Sequence, residues 1–353
     1  MTTSPFDHPL LSGLLGDAQI SPFFTAEAEI REMLGFELAL ADAEGSEGVI
    51  PADVAQYLAE QLPAFAPNLD EIRVATTRDG TIGVEFVRQL RYWLGPPFDR
   101  HVHFGATSQD LVDTALILRL RPVLAIFTQR LDAIIRRLGD LDRGFGGRDM
   151  MGRTRMQDAV PIKVTDKLAT WQGPLLRHLA RLTELSPRLM LLQFGGAAGT
   201  LDKLGDKAAP VAARLGQLLE LNVPERSWHT QRDGIVELAD WLSLVSGSLG
   251  KIGADIGLMA QNRVGDIALE GGGGSSAMPH KQNPIGAEVL VALAHFNATL
   301  TGGMHEALVH EQERSGAAWT LEWLILPQMV MTTAASLRTA ESLLQQVIRI
   351  GRT

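Results

Sequence analysis

Between Ile235 and Met259 the apolar residues keep one spacing without a break. Ile235, Leu242, Leu249 and Ile256 recur every seven residues, and Leu238, Val245, Ile252 and Met259 each follow at an offset of three. A strand cannot bury this set, because neighbouring strand residues face opposite sides; a helix gathers all of them on one stripe. The sustained 3.5-residue period also calls for a partner helix lying nearly parallel, since alone the stripe would stay in water. A second segment, Lys163 to Leu192, carries Leu168, Leu175, Leu182 and Leu189, with Trp171, Leu185 and Leu192 three further on. Pro174 and Pro187 fall inside it and are expected to kink the helix rather than end it. Apolar helical stretches are also read at Asp110 to Leu141, Ile285 to Glu313 and Leu321 to Arg349. The fold class is therefore all-α, a bundle of about five long helices.

The first hundred residues differ in character. Pro22, Pro51, Pro63, Pro67 and the Pro96-Pro97 pair break them into short helical patterns, and no β-branched run alternates with polar residues. One helix is expected to start at Thr25, a cap candidate, and to run through Ile30, Leu34, Leu38 and Leu40 before Gly45. The expected organisation is a small N-terminal helical domain over 1–100 and a central long-helix bundle over 101–353. Gly247, Gly250, Gly253 and Gly257 lie off the apolar stripe of the 235–259 helix. Each costs roughly 1 kcal/mol against Ala, so four together predict close approach of a second helix, including one from another subunit.

Composition narrows the function classes. The 353 residues contain no cysteine, which removes disulfides, thiolate metal sites and a cysteine nucleophile. A net charge of −9 argues against nucleic-acid binding. No signal peptide fits the start, because Asp7 and His8 interrupt any apolar run, and the charge-free stretch Val289 to Met304 reads as too short and too polar to span a bilayer. A soluble, cytoplasmic protein with no membrane or nucleic-acid partner is expected.

Three segments concentrate chemistry. In the first, four glycines, Gly271 to Gly274, run into Ser275, Ser276, His280, Lys281 and Asn283 before Pro284. Glycines in a row cannot hold a helix, so a mobile loop between two bundle helices is expected. A phosphate-binding loop would need Ser or Thr after the lysine and a strand before the glycines; Gln282 follows Lys281 and no strand is read. A plain interhelical linker would explain the glycines but not the polar cluster behind them. In the second, His103 precedes Thr107, Ser108 and Asp110, which can cap the following helix and leave N–H groups aimed at an anion. In the third, Arg153, Arg155 and Gln157 surround Thr154 at an expected helix start, where paired guanidiniums suit a planar carboxylate. His305 and His310 imitate a zinc helix but are one residue too far apart, about 140° around the axis. No metal and no cofactor are expected.

With these three segments in this order, the sequence resembles the fumarase/aspartase superfamily. The stretch Glu313-Arg314-Ser315 with Trp319, Glu322 and Trp323 is most similar to its 3-carboxymuconate cycloisomerase branch. The resemblance implies an all-α homotetramer with 20 core helices, each active site shared between subunits. It also implies a further small helical domain after the bundle, most of which this sequence is expected to lack. Ser275, Lys281 and Asn283 are the implied catalytic residues. His103, Thr107, Ser108, Arg155, Gln157, Ser276, His280 and Arg314 are the implied binders of a small polyanionic carboxylate. Many lyases of the family carry histidine where this sequence has Arg155. Arginine cannot exchange protons at neutral pH, a loss for a fumarate-releasing lyase but not for an enzyme whose nucleophile is an ionised substrate carboxylate. The expected reaction is therefore lactone formation. A 3-sulfomuconate substrate or an adenylosuccinate-type cleavage are the alternatives.

Overall fold

The computed structural model describes residues 4–274, 278 and 281–351. The N-terminal part forms α1 (Ser12–Leu15), α2 (Ala26–Ser46), α3 (Ala52–Gln61), α4 (Leu69–Asp79) and α5 (Ile82–Leu94). Side chains set the starts of three of them: Thr25 accepts from the N–H of Ala28, Asn68 from those of Asp70 and Glu71, and Thr81 from that of Gly83. Each such cap is worth about 1 kcal/mol. The helix expected from Thr25 is thus α2, running one residue past Gly45.

The remainder contains α6 (Ser108–Phe145), β1 (Asp149–Thr154), β2 (Gln157–Lys163), α7 (Val164–Leu189), α8 (Ala208–Leu219), α9 (Asp233–Met259), β3 (Ile267–Leu269), α10 (Ile285–Glu306), α11 (Ala317–Gln345) and β4 (Val347–Ile350). The five long helices α6, α7, α9, α10 and α11 pack lengthwise on one another. All eight residues of the α9 stripe are buried, as are the repeating leucines and Trp171 of α7. Burying one such side chain contributes about 1.5–3 kcal/mol, which is why the heptad pattern governs the fold. Pro174 and Pro187 both lie inside α7.

Two of the four α9 glycines admit a second helix as expected, while the expectation for the Val289–Met304 stretch needs correction. A Cβ on Gly250 would come within 2.4 Å of Ala294 Cβ, and one on Gly253 within 2.5 Å of Ala287 O, so these glycines admit α10 of the same chain. Gly247 and Gly257 meet nothing within 4 Å among the described residues. Val289 to Met304 belongs to a 22-residue helix whose hydropathy and length would suffice to cross a membrane. Its inner face is packed on α9 and α11, where buried Asn297 donates to Ser246 Oγ and Thr333 Oγ1. α10 begins at Ile285 as expected but ends at Glu306, well short of Glu313.

Small sheets close one end of the bundle. β1 and β2 form an antiparallel hairpin, so the third segment is not a helix start as expected. Arg155 (φ 48°) and Met156 (φ 66°) make its tip, a left-handed turn two residues long. β3 pairs antiparallel with β4, joining the chain ahead of the glycine run to the end of α11. A strand therefore does precede the glycines. It is three residues long, and Gln282 still excludes the phosphate-loop reading.

Candidate active site

The sequence-selected residues fall into two groups at opposite ends of the bundle. His103, Thr107, Ser108 and Arg314 lie where α6 and α11 begin; Arg155, Gln157, Lys281 and Asn283 lie where α6 and α11 end. Lys281 and Asn283 precede α10 and Arg314 follows it, so its 22 residues, roughly 33 Å of helix, stand between them. Within one chain the two groups cannot touch the same small molecule.

At the first end, Thr107 is the N-cap of α6 in a reciprocal capping box with Asp110. Asp110 is fully buried and does more than cap. Its oxygens accept from the N–H groups of Thr107, Gly195 and Gly196 at 2.9 Å, and His229 Nε2 lies 2.8 Å away. One carboxylate thus welds the start of α6 to two loops. Gly196 sits at φ 67°, and a Cβ there would come within 2.7 Å of Gly105 O, so only glycine lets the loop approach. Of the N–H groups at this helix start, those of Thr107 and Asp110 are taken up by the capping box itself.

Arg314 approaches from the loop before α11. Its Nη1 donates to Thr107 Oγ1 at 2.7 Å and its Nε to Gln109 Oε1 at 3.3 Å. Buried Gln109 has its amide orientation set from behind, because its Nε2 donates to Asp113 Oδ2 and to the His229 carbonyl. Beneath lies a fully buried ionic knot. Arg232 bridges Asp113 and Glu322, and Trp319 Nε1 donates to Asp113 Oδ1 at 2.9 Å. Burial disfavours the Arg232 charge, but the two carboxylates more than reverse this and hold it above its ordinary range. Burial likewise opposes ionisation of Glu322, and His310, 3.3 Å away, together with Arg232 overcomes it, so the carboxyl titrates below its usual range. Ser108, at the first turn of α6, is half-buried, its Cβ 2.9 Å from where a Cβ on Gly83 would stand. His305 is exposed and bonds to Asp240, while His310 lies beyond α10; the zinc-helix arrangement does not exist. Among the described residues no cluster of His, Asp and Glu could hold a metal ion.

At the second end, Gly273 and Asn283 exchange both backbone hydrogen bonds, at 2.9 and 3.0 Å, and pin the base of the glycine loop. A Cβ on Gly273 would meet Ile285 Cγ1 at 2.3 Å, so this glycine serves close approach. Lys281 is exposed and Asn283 half-buried. Ser275, Ser276 and His280 lie outside the described residues. Arg153, two residues before the hairpin's tip, pairs with Asp158 and with buried Asp266. Arg155 and Gln157 stand exposed at its tip, and Arg155 has no hydrogen bond or ion pair with any described residue.

Sequence reasoning missed Glu37, Gln109, Asp113, His229, Arg232 and Glu322 as parts of this assembly. Glu37, Gln109, Asp113 and Glu322 are polar residues within helices, His229 stands in a loop and Arg232 just before α9, and none of these positions says where the side chains converge. Glu37 on α2 lies 2.5 Å, through Oε1, from His103 Nδ1.

Residues 15–296 match a protein family described as lyases. The chain is 40% identical over 334 residues to a 3-carboxy-cis,cis-muconate cycloisomerase of Pseudomonas aeruginosa, covering 93% of this chain and 73% of that protein. The crystal structure of 3-carboxy-cis,cis-muconate lactonizing enzyme from Pseudomonas putida superposes with a TM-score of 0.90 at 38% identity, over 96% of this chain and 76% of that one. A fumarate lyase from Mesorhizobium sp. BNC1 gives a TM-score of 0.87 at 33% identity, covering 95% and 76%. The match spans most of the chain in both sequence and fold: this protein belongs to the fumarase/aspartase superfamily of lyases.

Proposed function

We propose that the protein is a cycloisomerase that converts 3-carboxy-cis,cis-muconate to its γ-lactone. Arg155 carries this reading. It is a permanent cation, free of partners among the described residues and displayed on a hairpin tip. A cation there suits a substrate with three carboxylates and cannot serve as a proton carrier. The relatives named above that act on a muconate support the same substrate class.

In the reaction one substrate carboxylate oxygen attacks the conjugated double bond, forming the C–O bond of the ring. The displaced electron pair moves onto the neighbouring carboxylate as an enediolate, and a proton delivered to carbon completes the lactone. Lys281 and Asn283 stabilise the enediolate charge, a kind of contribution worth about 10²–10³ in rate per donor. Ser275 supplies the proton. Thr107, Ser108, His103 and Arg314 at one end of the bundle, and Arg155, Gln157, Ser276 and His280 at the other, bind the carboxylates. Roughly 33 Å of α10 separates the two ends, so a complete site requires other copies of the chain. A homotetramer with 20 core helices and shared sites meets that requirement. The outer face of α10, with exposed Ala292, Phe296, Thr299 and Gly302, offers an apolar small-residue surface for such packing. The enzyme works in the cytoplasm, in the breakdown of aromatic acids.

The test is an ultraviolet assay on 3-carboxy-cis,cis-muconate, since ring closure removes the conjugated diene absorbance. Loss of absorbance, with no fumarate released from adenylosuccinate, is the expected result. A protein that leaves the muconate intact is not this enzyme; turnover of the 3-sulfo analogue alone would move the assignment to that substrate.

A further inference from the structure

We propose that Glu37 is a positioning residue for the site, holding His103 with one fixed ring nitrogen outward. Glu37 sits in the middle of α2, 66 residues from His103, with a side chain wholly removed from solvent. Its Oε1 lies 2.5 Å from His103 Nδ1, and its Oε2 has no hydrogen-bond partner among the described residues. A buried carboxylate with a single partner is costly, so a core position that keeps one needs a compensating role, and His103 is the group it touches. His103 in turn holds an unfavourable backbone, φ 56°, which a non-glycine residue adopts only where its surroundings impose it. The ring itself is nearly buried, 9% exposed. Its Nε2 makes no hydrogen bond to any described residue. A carboxylate only accepts, so Nδ1 carries the hydrogen and Nε2 is the nitrogen left for a ligand. His103 lies four residues before Thr107, whose hydroxyl holds Arg314, so the oriented ring belongs to the same end of the bundle as those groups.

The link between Glu37 and substrate binding rests on the functional reading above; the orientation of His103 does not. Two measurements on the full-length protein separate them. In ligand-free protein with ¹⁵N-labelled histidine, the His103 signals, assigned by their loss in His103→Asn, should show hydrogen on Nδ1 in the native chain and a mixture of tautomers in Glu37→Gln. With 3-carboxy-cis,cis-muconate, Glu37→Gln should raise KM about 10- to 100-fold with kcat changed less than about threefold, the range expected for losing one charged hydrogen bond. Glu37→Asp keeps the charge but falls short of the ring, and should lie between the two. Glu37→Gln with unchanged tautomer signals overturns the proposal. So does an altered tautomer with a native KM in an active enzyme. If the native protein turns over no muconate, the functional reading fails while the tautomer measurement still decides the role of Glu37.

Discussion

Arg314 Nη1 and Thr107 Oγ1 meet at 2.7 Å although 207 residues separate them in the chain. The contact joins the loop before α11 to the cap of α6, and Gln109 supports it from below by accepting from Arg314 Nε. The Gln109 amide cannot turn over, because both its N–H donors are committed to Asp113 and the His229 carbonyl.

Gln109→Leu keeps the size but removes all three hydrogen bonds. It should raise KM for the muconate about tenfold by freeing Arg314, and lower stability by about 1–3 kcal/mol through the unsatisfied groups left in the interior. Steady-state kinetics beside urea denaturation read the two effects; an unchanged KM would remove Arg314 from substrate binding.

Arg155→His replaces the exposed cation of the hairpin tip with a side chain that is mostly neutral at pH 8. KM should rise about tenfold or more while kcat stays within a few-fold, as for a carboxylate clamp. A collapse of kcat at unchanged KM would contradict that role.

Gly250→Val pushes a branched side chain into the α9–α10 seam, where even the first carbon would stand 2.4 Å from Ala294 Cβ. The expected loss is about 1–3 kcal/mol. Gly247→Ala, where a Cβ meets nothing within 4 Å among the described residues, is the matched control and should be neutral or mildly stabilising. Equal denaturation midpoints for the two variants would mean that the helices do not approach at Gly250.

Glu44 gives a pH signature. It is fully buried on α2, neither oxygen has a partner among the described residues, and burial, reinforced by the Glu37 charge, pushes its pKa from 4.5 up to about 9. Between these values the folded chain holds a proton that the unfolded chain has released. The group's contribution is thus complete below pH 4.5 and falls by about 1.4 kcal/mol per pH unit as pH rises toward 9. Glu44→Gln removes this titration, so its stability relative to the native chain should improve steadily from pH 5 to pH 8. A constant difference across that range would show that Glu44 ionises normally.

Much of the scaffold could be read from spacing. The seven-residue repeats of α7 and α9 located two helices to within a few residues, because a misplaced repeat would expose a whole stripe of leucines at once. The cap at Thr25 located a third. The hairpin of β1 and β2 could not be read that way: β2 is almost wholly exposed, so no burial pattern marks it. The α10 boundary after Glu306 escaped for a similar reason, since Leu308 and Val309 continue the apolar character while lying exposed outside the helix.

The candidate site divides along the same line. His103, Thr107 and Lys281 could be singled out because their segments are locally dense in hydroxyl, imidazole and cationic groups beside glycine, a composition a packed helix would not carry; Arg314 came only from the family resemblance. Residue order alone determined that the chain is a bundle of long helices interrupted by three polar segments, since helical periodicity is a local property written into neighbouring residues. Only the tertiary structure decided that Glu37 reaches His103, that Arg232 is locked between Asp113 and Glu322, and that the segments part to opposite ends of α10. Those facts follow from how helices tens of residues apart are laid against one another, and the energy of a buried charge is set by what packs around it rather than by what precedes it in the chain.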